Sequence, residues 1–388
     1  MIKLLWNKKQ LNFARLEWTG TDTQASRQLV FTIPVNPYDK DFKNAGIKLA
    51  DLIHLYDGKA LLFVGVVTSR EKTASIGTAS YTAKDFMHYL LRSRTSKKFK
   101  NISPEKITQK VCREIGIPCG NLEKTGTNIP KLIFDDQCIY DIIVKTYRKV
   151  SATTKKKYMP VMDGKKLTVV IKGQDSKVTL DQEKDITDAS YSDTTDNMVN
   201  LVRIYNESKK QIGKVEKESH TKKYGVYQEV YTKEKGVDAK KEAQSMMVGI
   251  TKEASVEAIG DLRAISGKSI VIYDKATGLS GKFYITSDTH IFENGNHTMQ
   301  LGLAWRNVME SGADTENNSA GSKKKTHSMG AVAYYLENAS AYHSTVECAA
   351  LDGKSPRKSV VSEILKITIN RGTNKGKPKY KKCEKCWR

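Results

Sequence analysis

The stretch ADLIHLYDGKALLFVGVV, residues 50–67, decides how the rest of the chain is read. Ile53 and Leu55 recur at period two, the spacing of one face of a strand. Tyr56-Asp57-Gly58-Lys59 then interrupts the run, and Ala60 to Val67 resumes it almost entirely with apolar side chains. An Asp-Gly pair between two such runs marks a β-hairpin, because glycine enters the positive-φ region without a Cβ clash. This part of the chain is therefore expected to be antiparallel β-structure.

The pattern extends in both directions. Upstream, Gln28 to Val35 carries Leu29, Phe31 and Ile33 at period two before Pro34 and Pro37 end the strand. Ile47, Leu49 and Leu52 lead into the hairpin. Downstream, Gly77 to Ala83 reads as a further strand, and Lys84 to Leu91 has helical spacing. Residues 1–95 thus form a meander feeding a short helix, which suits a small barrel.

From 96 to 188 the period changes. Ser103-Pro104-Glu105 opens a helix with a capping hydroxyl, a proline in the first turn and an acid near the positive end of the dipole. Ile107, Val111 and Ile115 share one face, and Gly116 and Pro118 close it. A second helix is expected over Ile139 to Val150, and Met159–Met162 with Leu167–Ile171 form a hairpin around Asp163-Gly164. Strands return over 189–310: Asn200 to Tyr205, Tyr224 to Tyr231, Lys268 to Tyr273, Gly281 to Ile285 and Thr298 to Leu303. A short helix over Ala239 to Gly249 turns Ala243, Met246 and Met247 inward. No sequence repeat relates the two β-rich segments. Residues 311–328 lack apolar periodicity and read as a flexible linker. Residues 329–388 form a small C-terminal extension, whose centre, Val360 to Ile369, is expected to be a helix passing into a strand.

The totals bound the function. A chain of 388 residues is expected to hold two or three domains. Sixty-five Lys and Arg against 43 Asp and Glu leave a net charge of +22, which favours anionic partners. The excess is lysine in short scattered runs (Lys97-Lys98, Lys209-Lys210, Lys323 to Lys325), unlike the clustered Arg and aromatic residues of a base-reading surface. Sequence-specific nucleic-acid binding is not expected. Neither a membrane-spanning apolar run nor a signal peptide is legible, so folding in a reducing cytoplasm and no membrane insertion are expected. Cys112, Cys119 and Cys138 are expected to be free thiols, several of them buried.

Catalytic constellations are thin, and no catalytic, cofactor-binding or metal-binding residue is assigned. There is no Gly-x-Ser-x-Gly elbow, Walker loop or His-Glu-x-x-His. His290 and His297 flank the turn Asn294-Gly295-Asn296 and are expected near one another as polar residues at a hairpin end. Cys383 and Cys386, with Cys348 upstream, have zinc-ligand spacing. Glu347, however, precedes Cys348 where a zinc deaminase has its glutamate two positions after the first ligand, and no proline stands before Cys383.

The segments Ala50 to Tyr56, Leu62-Phe63-Val64-Gly65-Val66-Val67 and Ala83-Lys84-Asp85 with its apolar helix resemble, in order and spacing, the XkdQ-type family. So do Tyr284-Ile285, Asp288, His290, His297, Met299 and Leu301 near the end of the second β-rich segment. That family comprises baseplate hub proteins of contractile phage tails, defective prophages and tailocins, within the wider late-control and hub group. The resemblance implies an α+β, mainly β chain. Two tail-tube-like β-barrels (1–95 and 189–310) would flank an α/β insertion (96–188), with the linker and small extension following. It implies a non-enzymatic homotrimer, a structural adaptor between the hexameric tail tube protein and the trimeric spike protein. Baseplate wedge proteins would surround it and the tape-measure protein would occupy its channel, in a virion or tailocin particle assembled in the bacterial cytoplasm. Strands 60–67 and 298–303 would lie at joins between copies. The alternative is a hub-associated enzyme, a cell-wall hydrolase or zinc-dependent, acting through the C-terminal extension.

If the positive charge serves acidic protein neighbours, two unrelated DNA duplexes should bind with equal affinity that falls steeply as salt is added. A fluorescence-anisotropy titration showing preference for one duplex at physiological salt would contradict this reading.

Overall fold

The computed structural model describes residues 2–23, 26–71 and 77–309, with short strands at 332–335, 341–343, 357–360 and 381–382. It divides into two compact units, Met1–Thr315 and Glu316–Arg388.

The first unit opens with β1 (Ile2–Trp6), β2 (Lys9–Leu11), β3 (Arg15–Thr21), β4 (Gln28–Val35), β5 (Leu52–Asp57), β6 (Ala60–Glu71) and β7 (Gly77–Asp85). The hairpin expected from 50–67 is β5 and β6, with Gly58 at φ +58° in its turn. Alternation places Leu29, Phe31 and Ile33 of β4 inside, where Phe31 stacks on Tyr81 of β7 at 5.4 Å. Gly65 lies on the middle strand of β5, β6 and β7, opposite Ile53 on one side and Asp85 on the other. A Cβ there would come within 2.6 Å of the Lys84 carbonyl oxygen and strike the Phe63 ring, which is why a glycine interrupts the apolar run.

A second layer follows: α1 (Met87–Arg92), β8 (Arg94–Ile102), α2 (Pro104–Glu114), β9 (Cys119–Leu122), β10 (Ile129–Cys138), α3 (Ile139–Thr154), β11 (Tyr158–Asp163) and β12 (Lys166–Ile171). Ser103 caps α2 by accepting the Lys106 N–H, with Pro104 in the first turn. Helix α3 runs past Val150 to Thr154, where Lys155 takes a left-handed conformation at φ 57°. Strands β8 and β10 form a two-stranded ribbon, and β11, β12 and β9 form a three-stranded sheet. Ile107, Val111, Ile142, Ile143, Tyr147 and Leu167 belong to one apolar core, which Met309 joins from the far end of the unit.

The remaining elements are β13 (Asp175–Asp181), β14 (Ile186–Thr194), β15 (Leu201–Tyr205), β16 (Gln211–Glu216), α4 (Glu218–Tyr224), β17 (Gln228–Thr232), α5 (Ala239–Ser245), β18 (Thr251–Ile259), β19 (Ser269–Asp274), β20 (Leu279–Glu293) and β21 (Asn296–Ala304). The strand expected over Tyr224–Tyr231 is two elements. Tyr224 ends α4, Gly225 turns at φ +80°, and β17 begins at Gln228. Strands β16, β15 and β17 make a small sheet on which Ala243 of α5 packs against Val202 and Ile204.

The other strands belong to one thirteen-stranded sheet, ordered β14-β18-β21-β20-β3-β4-β7-β6-β5-β1-β2, with β13 and β19 branching from β20. Its fifteen-residue β20 pairs with β19 over Leu279–Tyr284, then with β21, and from Ser287 with β3 as well. The two β-rich segments thus share a sheet while keeping separate apolar cores. Among the described residues the pairings form an open path with a side branch, and no closed ring. Strand β21 is paired on both sides, whereas β6 pairs with β5 from Ala60 to Val66 and with β7 from Gly65 to Glu71. Of the two strands expected to extend sheets between copies or pack at the joins, 298–303 does not extend one, because its backbone already has partners on both sides within the chain.

In the second unit, β22 (Val332–Tyr335), β23 (Ala341–His343), β24 (Arg357–Val360) and β25 (Lys381–Lys382) form a sheet ordered β24-β22-β23-β25. Val360 ends β24; the remainder of the expected helix-to-strand segment, 361–369, and the linker expected over 311–328 lie outside the described residues.

Replacing Gly65 by alanine should destabilise the chain by roughly 1–3 kcal/mol through overpacking of the β6–β7 contact. Urea unfolding midpoints unchanged from the parent protein would contradict that packing.

Candidate functional site

The β3–β20 junction gathers the chain's most unusual polar groups. Trp18 stands opposite His290 and Gly20 opposite Asp288. Asp288 and His290 occupy the inward parity of β20 and are 1% and 0% exposed. A carboxyl and an imidazole so deeply buried require partners.

Arg27, just before β4, supplies the main one. Its guanidinium forks onto both Asp288 oxygens and lies 3.9 Å from the Trp18 ring centre. The Ser266 backbone N–H adds a third bond to Asp288 at 2.6 Å. Gly20 makes room: a Cβ there would lie 2.7 Å from the guanidinium carbon. The Arg27 backbone N–H donates to a second buried carboxyl, Asp85, at 2.9 Å. The Ser26 hydroxyl and Met87 N–H donate to Asp85 at 2.8 and 3.1 Å. Burial nevertheless outweighs these donors and pushes the Asp85 pKa up to about 6. One short segment thus binds the end of β7 through its main chain and β20 through its side chain.

The two histidines expected near one another do meet. His290 Nδ1 lies 3.1 Å from His297 Nε2, and His290 Nε2 lies 3.2 Å from the Ala264 carbonyl oxygen. That carbonyl only accepts, so His290 carries its proton on Nε2 and Nδ1 accepts from His297. Burial lowers His290 to about 4 and lowers His297 as well. His297 stacks on Phe292 at 4.2 Å and lines a cleft of about 910 Å³ with Asp57, Asp261, Arg263 and Glu293. Within that cleft Arg263 pairs with Asp261 at 2.6 Å, and Glu293 with Arg15 at 2.7 Å. The histidine nitrogens that touch are engaged with one another, so the arrangement ties β20, β21 and the 260–264 loop together rather than presenting an activated base.

Cys112 and Cys138 are buried and Cys119 is partly buried, all three as free thiols. The neighbouring Cys119 thiol and burial raise Cys112, and burial raises Cys138, which donates to the Leu90 carbonyl at 3.2 Å. Cys348, Cys383 and Cys386 lie outside the described residues. Among the described residues no group of three or more His, Cys, Asp or Glu side chains is arranged to hold a metal ion. No described helix is long and apolar enough to cross a membrane. Sequence reasoning located the His pair but not Arg27 or Asp85 as buried groups. The available signal was Asp288 and His290 standing at the parity of Phe292, an apolar register occupied by polar residues.

The titrations have opposite signs. His290 titrates lower in the folded chain than in the unfolded one, so its contribution is intact above about pH 6.5. It is lost as pH falls towards 4, on the order of 3 kcal/mol in full. Asp85 titrates higher when folded, so it adds stability as pH falls from about 6 towards the ordinary carboxylate range. The parent protein should therefore show a shallow profile between pH 6.5 and 4. Asp85→Asn should lose stability more steeply over that window, and His290→Gln less steeply. Parallel denaturation-midpoint profiles for all three would contradict these assignments.

Comparison with known proteins agrees with this architecture. The family model described as YQBQ-like matches residues 16–304. The YqbQ protein of Bacillus subtilis strain 168 is 28% identical over 265 residues, covering 66% of this chain and 81% of the relative. Protein XkdQ of the phage-like element PBSX, from the same strain, is 25% identical over 304 residues, covering 76% and 92%. The 43 kDa tail protein of prophage MuSo2 from Shewanella oneidensis has a similar fold, with a TM-score of 0.61 and 12% identity over 78% of this chain and 97% of that one. A tail protein from Neisseria meningitidis MC58 gives a TM-score of 0.59 at 11% identity, covering 80% and 98%. The chain therefore belongs to the YQBQ-like family, is similar to the XkdQ protein, and has the mainly β fold of these two tail proteins.

Proposed function

We propose that the chain is the structural hub of a contractile-tail baseplate. In this reading it is a homotrimer joining the hexameric tail tube to the trimeric spike, with wedge proteins around it and the tape-measure protein in its channel. Residues 1–95 and 189–310 act as two tube-like barrel units per chain, and 96–188 as an insertion on their outside. The particle, phage or tailocin, is assembled in the bacterial cytoplasm. The extension at 329–388 is an accessory to this role.

The observation that carries the proposal is the β3–β20 pairing, which sets two separately cored β segments side by side in one sheet. Two such units per chain turn threefold symmetry into six positions, the match a hexameric tube needs. Family membership and the fold of prophage tail proteins support the same role. The +22 charge suits acidic neighbours, through contacts that weaken with salt.

Native mass measurement of the purified chain, alone and with tube and spike proteins of the same particle, tests the proposal. A mass of three chains, and a complex containing both neighbours, is expected. A chain that remains single in the presence of both would contradict it.

A further inference from the structure

We infer that Cys112 and Cys119 form a disulfide bond when the folded chain meets a small-molecule disulfide outside a reducing compartment, with Cys119 attacking and Cys112 resolving. The inference is independent of the assembly reading above.

The backbone holds the pair in place from both sides. Helix α2 ends at Glu114, and Gly116 then takes φ +70°, a turn that glycine enters without a Cβ clash. The Ile117 N–H folds back onto the Cys112 carbonyl at 3.0 Å. Pro118 follows, and its carbonyl accepts the Leu167 N–H at 2.8 Å. That bond starts the pairing of β9 with β12, in which Cys119 stands opposite Leu167. The last turn of α2 and the first residue of β9 are therefore tied to one another, and their two thiols are hydrogen-bonded. A thiol pair already in contact on two anchored elements avoids the backbone movement that distant cysteines need.

The surroundings of the two sulfurs differ in the way that thiol exchange requires. Cys112 lies fully buried in the core of the helical layer, where the bond to Cys119 and burial both hold it protonated. Cys119 is partly exposed. The hydrogen bond from Cys112 and the charge of Arg113 lower its pKa against the opposing effect of burial, which favours the thiolate. That thiolate attacks one sulfur of the reagent, breaking the reagent's S–S bond and expelling one thiol. Cys112 then gives up its proton and attacks the Cys119 sulfur, expelling the second reagent thiol. The chain is oxidised by two electrons, and the reagent is reduced to two thiols.

Two neighbouring observations narrow the role of the pair. Among the described residues no third His, Cys, Asp or Glu side chain completes a metal site with it. Cys138 bonds to the Leu90 carbonyl rather than to another thiol, and serves as an internal control.

Incubating the full native chain with oxidised glutathione, blocking the remaining thiols with iodoacetamide in denaturant and digesting with trypsin tests the inference. Cleavage after Lys110, Arg113 and Lys124 places the two cysteines in separate peptides, 111–113 and 114–124. These peptides are expected as one disulfide-linked species, lighter by two hydrogen atoms than the free pair, with Cys138 still blocked by the reagent. Cys112→Ser should stop at a glutathione adduct on Cys119, and in Cys119→Ser the Cys112 thiol should react at least about tenfold more slowly. A parent chain whose two thiols stay free, keep glutathione or pair with other cysteines would overturn the bond. Equal reaction rates in the two variants would overturn the assignment of Cys119 as the attacking thiol.

Discussion

The structure depends on how Arg27 satisfies buried carboxyl groups belonging to distant parts of the chain. Asp288 sits at 1% exposure, where an unpaired charge would cost several kcal/mol. The guanidinium meets it in a fork, stacked on Trp18, while the Arg27 backbone holds Asp85 at the end of β7. Breaking one side of such a buried pair typically costs 3–5 kcal/mol, because the other charge is left behind. A pair of that kind is a poor source of net stability and a good source of register. It favours the alignment in which β3 and β20 lie opposite one another, which is the alignment that makes one sheet out of two β-rich segments.

From that joint the rest follows in layers. Each side of the sheet's cored face keeps its own apolar cluster, Leu29, Phe31 and Tyr81 on one and Val256, Phe283 and Leu301 on the other. The histidine pair fastens the β20–β21 hairpin to the 260–264 loop in neutral form, adding directional bonds without another buried charge. Helices α1, α2 and α3 gather on a third core with the β11–β12 hairpin, while α5 packs on the small sheet of β15, β16 and β17. The charge distribution agrees with a scaffold role. Lysines crowd the loops and the β8–β10 ribbon, while the uncored face of the sheet is dominated by hydroxyl, amide and acidic groups.

Local signals were legible where a strand or helix carries its own apolar period. The β5–β6 hairpin, β4, α2 with its Ser103 cap, α3 and the β11–β12 hairpin were all readable in that way. Strand β18 was not, because it buries only Ala254, Val256 and Ala258, too little apolar bulk to stand out. Strand β8, RTSKKFKNI, reads as a charged loop and is a strand because β10 pairs with it. At the site, the histidines were legible because a tight turn brings neighbours in sequence together. Arg27 and Asp288 are 261 positions apart, and no local period encodes such a meeting. An apolar strand in sequence likewise says nothing about whether its edges are taken, and β21 is paired on both sides.

The central claim is that the two β cores behave as one cooperative body through the Arg27–Asp288 joint. Amide exchange in β4 and β21, followed through a denaturant series in the parent protein and in Arg27→Met, tests it directly. The account predicts that both strands lose protection at the same denaturant concentration in the parent, and at separate concentrations once the arginine is gone. Two independent transitions in the parent protein would contradict it.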